Sequence, residues 1–301
     1  MTEAPQQVTI REVGLRDGLQ NEAPIPLSAK LELLHAIAVT GVREVEATSF
    51  VSPSKVPAMA DAAALAAQLH QFPGIDFSAL VASPNGAKRA VAAGLRAIQY
   101  VVAASDAFSR ANVGRSSADA IAAIPDITGI AQHGGASVEV IIATAWDCPF
   151  DGPTPSQRVV DIAVAAVQSG VDRLSIADTI GTAAPGRVTE LITTLRPAIG
   201  GAALGAHFHN TRNAGLASAY AAVRAGVSRL DASVGGLGGC PFAPGATGNI
   251  ATEDLAYLLH DSGIDTGIDL AAAIRAAEIA AAAVGHRLPS ALLAAGDRKR
   301  R

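Results

Sequence analysis

Gly170-Val171-Asp172-Arg173-Leu174 stands between an alanine-rich amphipathic run, Ile162 to Val167, and a short apolar segment. Glycine at such a junction takes the left-handed conformation that ends a helix, and the apolar residue after it turns the chain back toward a core. The same arrangement recurs at Gly41-Val42-Arg43-Glu44-Val45, Gly94-Leu95-Arg96-Ala97-Ile98 and Gly226-Val227-Ser228-Arg229-Leu230. Helix, glycine cap, strand is therefore a repeated unit. Its repetition predicts parallel strands joined by helices.

Working outward from these junctions, strands are predicted at Val8–Val13, Arg43–Ala47, Phe77–Ala82, Ala97–Ala103, Ser137–Ala143, Arg173–Ile176, Ala203–Phe208 and Arg229–Ser233. Helical patterns fill the gaps, among them Val56–Leu69, Ala87–Ala93, Val188–Leu195 and Ala214–Ala225. Strand–helix repetition of this kind predicts an α/β fold, a (β/α)8 TIM barrel, with a doubly wound open sheet as the alternative. Glu253–His260 reads as the eighth helix. Leu270–Val284 is an additional C-terminal helix, a cap or an oligomer contact. No linker or composition shift divides the chain, so residues 1–301 are read as one domain.

Composition agrees. Half of the 301 residues are hydrophobic and only 17% are charged, which suits helices packed on buried strands and excludes disorder. A net charge of −4 with few aromatics gives no basis for nucleic-acid binding. Met1 to Gln7 has no basic and apolar regions of a secretory signal, and Arg275 and Glu278 interrupt the apolar run Leu270 to Gly285. Two cysteines, Cys148 and Cys240, make neither a disulfide framework nor a zinc cluster, so a cytoplasmic, reduced protein is expected.

In a barrel the chemistry belongs at the C-terminal ends of the strands. There the chain carries Arg16-Asp17-Gly18-Leu19-Gln20-Asn21-Glu22, Glu46 with Thr48-Ser49, Trp146-Asp147-Cys148, Asp178-Thr179, and His207 with His209. After strand eight come Gly235-Gly236-Leu237-Gly238-Gly239-Cys240-Pro241 and Gly245-Ala246-Thr247-Gly248-Asn249. Strand alternation puts His207 and His209 on one side and Phe208 on the other. Asp17, His207 and His209, with Asn249 as an amide-oxygen ligand, form a mixed oxygen and nitrogen set that suits Mg²⁺ or Mn²⁺ and also admits zinc. Plainer readings exist: a turn residue for Asp17, a helix N-cap for Asn249, and one buried and one surface histidine. Arg16 would face an enolate or carboxylate, or pair with Glu46, or both. Cys240 is a proton-transferring thiol in a mobile loop, or a small buried side chain. The glycines match neither G-x-G-x-x-G nor a Walker A sequence. Cys148 is assigned to packing and a turn.

These residues resemble a known family. Val13 to Glu22, Thr48 to Pro53, Asp178-Thr179-Ile180-Gly181, the His207/His209 pair and Gly236 to Pro241 with Gly248-Asn249 are similar to the 3-hydroxy-3-methylglutaryl-CoA lyases, metal-dependent TIM-barrel enzymes of the lyase and Claisen-type synthase superfamily. The glycine loop with Cys240 is the most specific of these stretches.

The resemblance implies that Asp17, His207, His209 and Asn249 bind the metal. It implies that Arg16 stabilises the enolate of the departing thioester and that Cys240, or a histidine such as His207, donates the proton. Asp17 and His207 are both candidates for the initial base, and Glu46 and Asp178 are grouped with the catalytic residues as supports of the site. Arg16, Gln20, Ser49 and Ser175 are implied substrate contacts. The implied reaction is retro-Claisen cleavage of 3-hydroxy-3-methylglutaryl-CoA into acetyl-CoA and acetoacetate, a step of leucine degradation and ketone-body formation. The implied partner is an acyl-CoA, with no membrane or nucleic acid and with a homo-oligomer left open. Asn210-Thr211-Arg212-Asn213 and Trp146-Asp147 depart from the family pattern, which keeps a related tertiary 3-hydroxyacyl-CoA as an alternative substrate. The further alternatives are a condensing synthase or aldolase of the same superfamily, and a silent barrel that binds an acyl-CoA or a partner.

Overall fold

The computed structural model describes residues 5–239 and 248–298. Its strands are β1 (Thr9–Glu12), β2 (Glu44–Ser49), β3 (Asp76–Val81), β4 (Ala97–Ala103), β5 (Ser137–Ala143), β6 (Arg173–Asp178), β7 (Ala203–Phe208) and β8 (Arg229–Ala232). They pair in parallel, each with its neighbours in the chain, and β8 closes on β1. Closure excludes the open-sheet alternative, because no edge strand is left in this sheet. β4, β5 and β7 have the expected bounds, and the others shift by one or two residues at an end.

The four junction glycines all have positive φ, between 75° and 92°. Gly41 illustrates the constraint most sharply, since a Cβ there would lie 2.4 Å from the Gly267 carbonyl oxygen. The expected helix Val56–Leu69 is instead broken into a 3₁₀ turn (Pro57–Met59), a short helix (Ala62–Ala66) and a second 3₁₀ turn (Leu69–Gln71). The cause is a buried lysine. Lys30 Nζ donates to the Ala58 carbonyl at 2.6 Å and to Asp61 Oδ1 at 2.5 Å, engaging a carbonyl that a continuous helix would pair with residue 62.

Leu270–Val284 is the additional helix. Asp269 caps it by accepting from the Ala272 N–H at 2.7 Å, Gly285 ends it in the left-handed conformation, and its alanine face packs on Leu27–Ala38 and Thr252–Asp261. A two-residue ladder pairs Asp147–Cys148 with Gly152–Pro153 beyond β5. Cys148 is buried there, donating to Ser105 Oγ at 3.0 Å. Among the described residues no helix is long and apolar enough to cross a membrane.

Candidate active site

Beyond β1 the chain makes one π-helical turn over Gly14–Gly18, in which Gly18 N donates to Val13 O at 3.1 Å and Leu19 N to Gly14 O at 2.9 Å. Single turns of this kind re-aim side chains and recur at functional sites. This one brings Arg16 and Asp17, both buried, over the barrel mouth. Arg16 Nε donates to Glu46 Oε2 on β2 at 2.6 Å, and Arg16 Nη1 donates to Asp17 Oδ1 at 2.5 Å. Gln20 Nε2 donates to the same Asp17 oxygen at 2.8 Å. Burial works against the guanidinium, but Glu46 and Asp17 outweigh it and hold the Arg16 pKa above its ordinary value. Both sequence readings of Arg16 therefore coexist: a fixed ion pair and a permanent cation at the site.

His207 and His209 face the same side of β7, their ring centroids 5.0 Å apart, while Phe208 packs against Trp146 at 5.6 Å on the other side. Asn249 is strapped to the end of β7, with Asn210 N donating to Gly248 O at 2.9 Å and Ile250 N to Phe208 O at 3.3 Å. It is not a helix cap, because Ala251 occupies that position for Thr252–Asp261. Its Nδ2 donates to Asp17 Oδ2 at 2.8 Å and to the Leu237 carbonyl at 3.1 Å.

The remaining polar atoms of this cluster are the informative ones. Among the described residues, Asn249 Oδ1 and both ring nitrogens of His209 are buried without a hydrogen-bond partner, His209 Nε2 coming only to 3.6 Å of Asp17 Oδ2. Buried polar atoms are normally satisfied, so orphans around a carboxylate point to a bound cation. Ligand atoms of Asp17, His207 and His209 all lie within 4.8 Å of one another. This oxygen and nitrogen donor set fits a divalent ion. Burial would raise the Asp17 pKa, but Arg16 and the histidines hold it well below the usual carboxylate range, so it stays an anion.

A cavity of about 730 Å³ opens from this cluster across the loops after β2, β3 and β4. Gln20 and Ser49 line it beside Arg16, Asp17, His207 and His209. Ser175, the other expected substrate contact, does not line it. It sits one layer lower in the barrel, donating to Glu139 Oε1. Both Ser175 and Ala177 face the barrel interior, and depth along β6 separates them: Ala177, two residues nearer the C-terminal end, is the one that reaches the cavity. Glu46 and Asp178, expected as supports of the site, do not line the cavity themselves. Glu46 holds Arg16. Asp178 accepts from the Thr182 and Ala183 N–H groups at 3.0 and 2.9 Å and so fixes the loop after β6. Cys240 lies outside the described residues; Gly239, just before it, lines the cavity and accepts from Asn21 Nδ2 at 2.9 Å.

The departures from the family pattern likewise stay away from the cavity. Trp146 Nε1 donates to the Arg187 carbonyl at 3.2 Å, Asp147 pairs with Arg187 at 2.7 Å, and Arg212 Nη1 donates to the Ile180 carbonyl at 2.7 Å. They tie the loops after β5, β6 and β7 to one another.

Several charged residues at the site were not singled out by the sequence. Asp231 accepts from His207 Nδ1 at 3.2 Å and is gripped by Arg11. Lys55, Arg89 and Arg115 also line the cavity, and among the described lining residues Asp17 is the one carboxylate. A charged residue inside an otherwise apolar strand, such as Arg11 or Asp231, was the available signal.

Two further buried carboxylates, Glu12 and Glu253, carry the Val234–Gly236 turn that leads toward Cys240. Glu12 Oε1 accepts from the Gly14 and Val234 N–H groups at 2.8 and 3.1 Å, and Glu253 accepts from Gly235 N at 3.0 Å. Burial pushes each carboxyl up to about 7 from its ordinary 4.5. With the folded pKa above the unfolded one, each contributes stability that is complete below 4.5 and is lost as the pH rises through 7. A shift of this size corresponds to on the order of 3 kcal/mol per carboxyl. Thermal melts in excess chelator should therefore show the transition temperature falling between pH 5 and 8. Glu12→Gln and Glu253→Gln together should flatten that slope. An unchanged slope in the double variant would remove these two groups as its origin.

The profile of the family described as HMGL-like matches residues 7–280. The (R)-citramalyl-CoA lyase of Chloroflexus aurantiacus is 40% identical, over 97% of this chain and 95% of that protein. The mitochondrial hydroxymethylglutaryl-CoA lyase of Rattus norvegicus is 38% identical, over 95% of this chain and 88% of that protein. The structure of an HMG-CoA lyase from Acinetobacter baumannii, in complex with coenzyme A and 3-methylmalate, superposes with a TM-score of 0.94. It is 35% identical and covers 100% of this chain and 99% of that one. The chain thus belongs to the HMGL-like family, and it is a carbon–carbon lyase.

Proposed function

We propose that the protein performs a divalent-metal-dependent retro-Claisen cleavage of 3-hydroxy-3-methylglutaryl-CoA, giving acetyl-CoA and acetoacetate. The observation that carries this reading is the placement of Arg16 beside the Asp17/His207/His209 cluster in a cavity that Lys55, Arg89 and Arg115 also line. A divalent ion held by Asp17, His207, His209 and Asn249 would supply Lewis acidity toward the tertiary hydroxyl of the substrate. Arg16, fixed by Glu46 before substrate arrives, stands ready for the charge that grows on the thioester oxygen as the C–C bond breaks. The resulting enolate takes a proton at carbon to become acetyl-CoA, and Cys240 is the assigned donor.

Lys55, Arg89 and Arg115 come from three successive rim segments, and among the described residues none forms an ion pair. We assign them to the phosphates of the CoA moiety. Replacing all three by alanine should raise KM for the thioester strongly while leaving kcat within a few-fold, since they act on parts of the substrate that do not react. About 1 kcal/mol per exposed pair, roughly five-fold each, is the expected scale. A triple variant with unaltered KM at low salt would remove this assignment.

A second substrate is favoured by one specific finding, the 40% identity to a citramalyl-CoA lyase. Citramalyl-CoA carries the same tertiary hydroxyl and methyl group and a carboxylate arm one methylene shorter, and its cleavage gives pyruvate in place of acetoacetate. Incubation with both thioesters and Mg²⁺, with products identified by mass, decides between them. Acetoacetate formed at the higher kcat/KM supports the reading proposed here, pyruvate supports the alternative, and no cleavage of either rejects both.

Cys240→Ser should lower kcat by roughly 10²–10³, within the usual range for a positioned acid, with substrate affinity little changed. Unchanged turnover would reduce this cysteine to a packing residue.

A further inference from the structure

Beneath the metal cluster the barrel interior is charged, where such layers are normally filled by Val, Ile and Leu. Arg11, Glu139 and Asp231 are all at most 4% exposed. Arg11 is bidentate on Asp231, Nε donating to Oδ1 and Nη2 to Oδ2, each at 2.9 Å. Its Nη1 donates to Glu139, which also accepts from Ser175 Oγ and from Arg229 Nη2 at 2.5 Å. Asp231 Oδ2 accepts in addition from His207 Nδ1 at 3.2 Å. Register makes this chain of contacts a single layer: Arg11 is the partner of Asp231 across β1 and β8, and Asp231 is the partner of His207 across β8 and β7.

Buried ion networks of this kind are poor sources of stability, because desolvation takes back most of the attraction. Apolar residues of equal volume would serve the fold as well. What an apolar layer would not do is choose a nitrogen on His207. A ring whose Nδ1–H is held by a carboxylate has its other nitrogen, Nε2, free as an acceptor, and such outer contacts set both tautomer and ring orientation.

We propose that Arg11 and Asp231 form a positioning relay that presents His207 Nε2 to the metal centre, Arg11 fixing the plane of the Asp231 carboxylate and Asp231 fixing the imidazole. Neither residue touches substrate. The proposal rests on the metal reading of Asp17, His207 and His209 given above, and it adds to that reading the group that orients one of its ligands.

The test is Mn²⁺ titration of the full-length, chelator-stripped protein, following the paramagnetic resonance signal of the free ion, so that no turnover is needed. Asp231→Asn keeps the shape but permits the opposite tautomer, and should weaken Mn²⁺ binding about 10–100-fold, the usual cost of losing such a contact. Arg11→Met combined with Glu139→Gln removes one buried charge of each sign. It should weaken binding in the same direction with melting temperature close to that of the parent, and it serves if Asp231→Asn alone does not fold. Because both changes act through one carboxylate, all three substitutions together should cost less than the sum of the two effects. Folded variants that bind Mn²⁺ like the parent overturn the relay and leave the metal centre standing. A parent protein that binds no Mn²⁺ overturns the metal centre and the relay with it.

Discussion

Asp17→Asn is expected to abolish cleavage and to strip the protein of its metal. Both oxygens of Asp17 already accept hydrogen bonds from side chains. Oδ1 takes Arg16 Nη1 at 2.5 Å and Gln20 Nε2 at 2.8 Å, and Oδ2 takes Asn249 Nδ2 at 2.8 Å. An amide in this position turns one of those oxygens into an NH₂ group facing a donor, and it removes the one anionic ligand of the cluster. Either change alone harms the site. Together they should lower divalent-metal affinity by at least about 100-fold, beyond the loss seen when only an outer contact is removed. Activity should fall by about 10⁴ or more even with metal added. Metal content measured on the purified variant, alongside turnover, checks both halves. Normal metal content with normal turnover would remove Asp17 from the ligand set, and His207→Ala is subject to the same criterion.

The second large effect is expected at Arg16. Its guanidinium spans two carboxylates at once, Glu46 through Nε and Asp17 through Nη1, so its position is set before any substrate binds. A preorganised cation in a water-poor cavity is worth most where charge develops during reaction, which for retro-Claisen cleavage is the thioester oxygen. Arg16→Gln should therefore lower kcat by about 10³, with a much smaller change in KM, the scale found when one such donor is lost. Arg16→Lys should recover little of it. An ammonium cannot reach both carboxylates in the geometry of the planar fork. A kcat within ten-fold of the parent in Arg16→Gln would show that the charge on the thioester oxygen is handled elsewhere.

Glu46 enters the same argument from beneath. It has no exposed surface, and burial pushes its carboxyl up while Arg16 and Arg11 pull it down, the balance lying above its ordinary value. Its contribution is to keep Arg16 in place. Sequence order made Glu46 a rim residue; only the packing of the π turn of Gly14–Gly18 on β2 shows that Arg16 lies between it and the cavity.

How far each residue could be read in advance follows from the range of the forces involved. The glycine caps, the strand alternation of His207 and His209 and the additional helix Leu270–Val284 are local. They depend on neighbours within a few residues, and each appears in the structure where the chain order puts it. The helix expected over Val56–Leu69 failed because its competitor, Lys30, comes from a different helix. Ser175 lies below the cavity on Glu139, a depth that facing the barrel interior does not reveal. Asn249 was read equally well as a cap or a ligand, and the structure removes the cap by giving that position to Ala251 while the bridge to His209 and the bond to Asp17 hold Asn249 at the cluster.

By itself, then, the sequence determined the repeating strand–helix unit, the closed parallel barrel that such repetition favours, and the residue types gathered on one rim. Periodicity and turn chemistry act over short distances and survive in the linear order. Only the tertiary structure decided which charges meet. Arg11 and Asp231 are 220 residues apart in the chain, Asn249 and Asp17 are 232 apart, and each pair is in contact because the last strand closes on the first. Coulombic and hydrogen-bond partners across a barrel are set by register and closure, and those are properties of the assembled sheet.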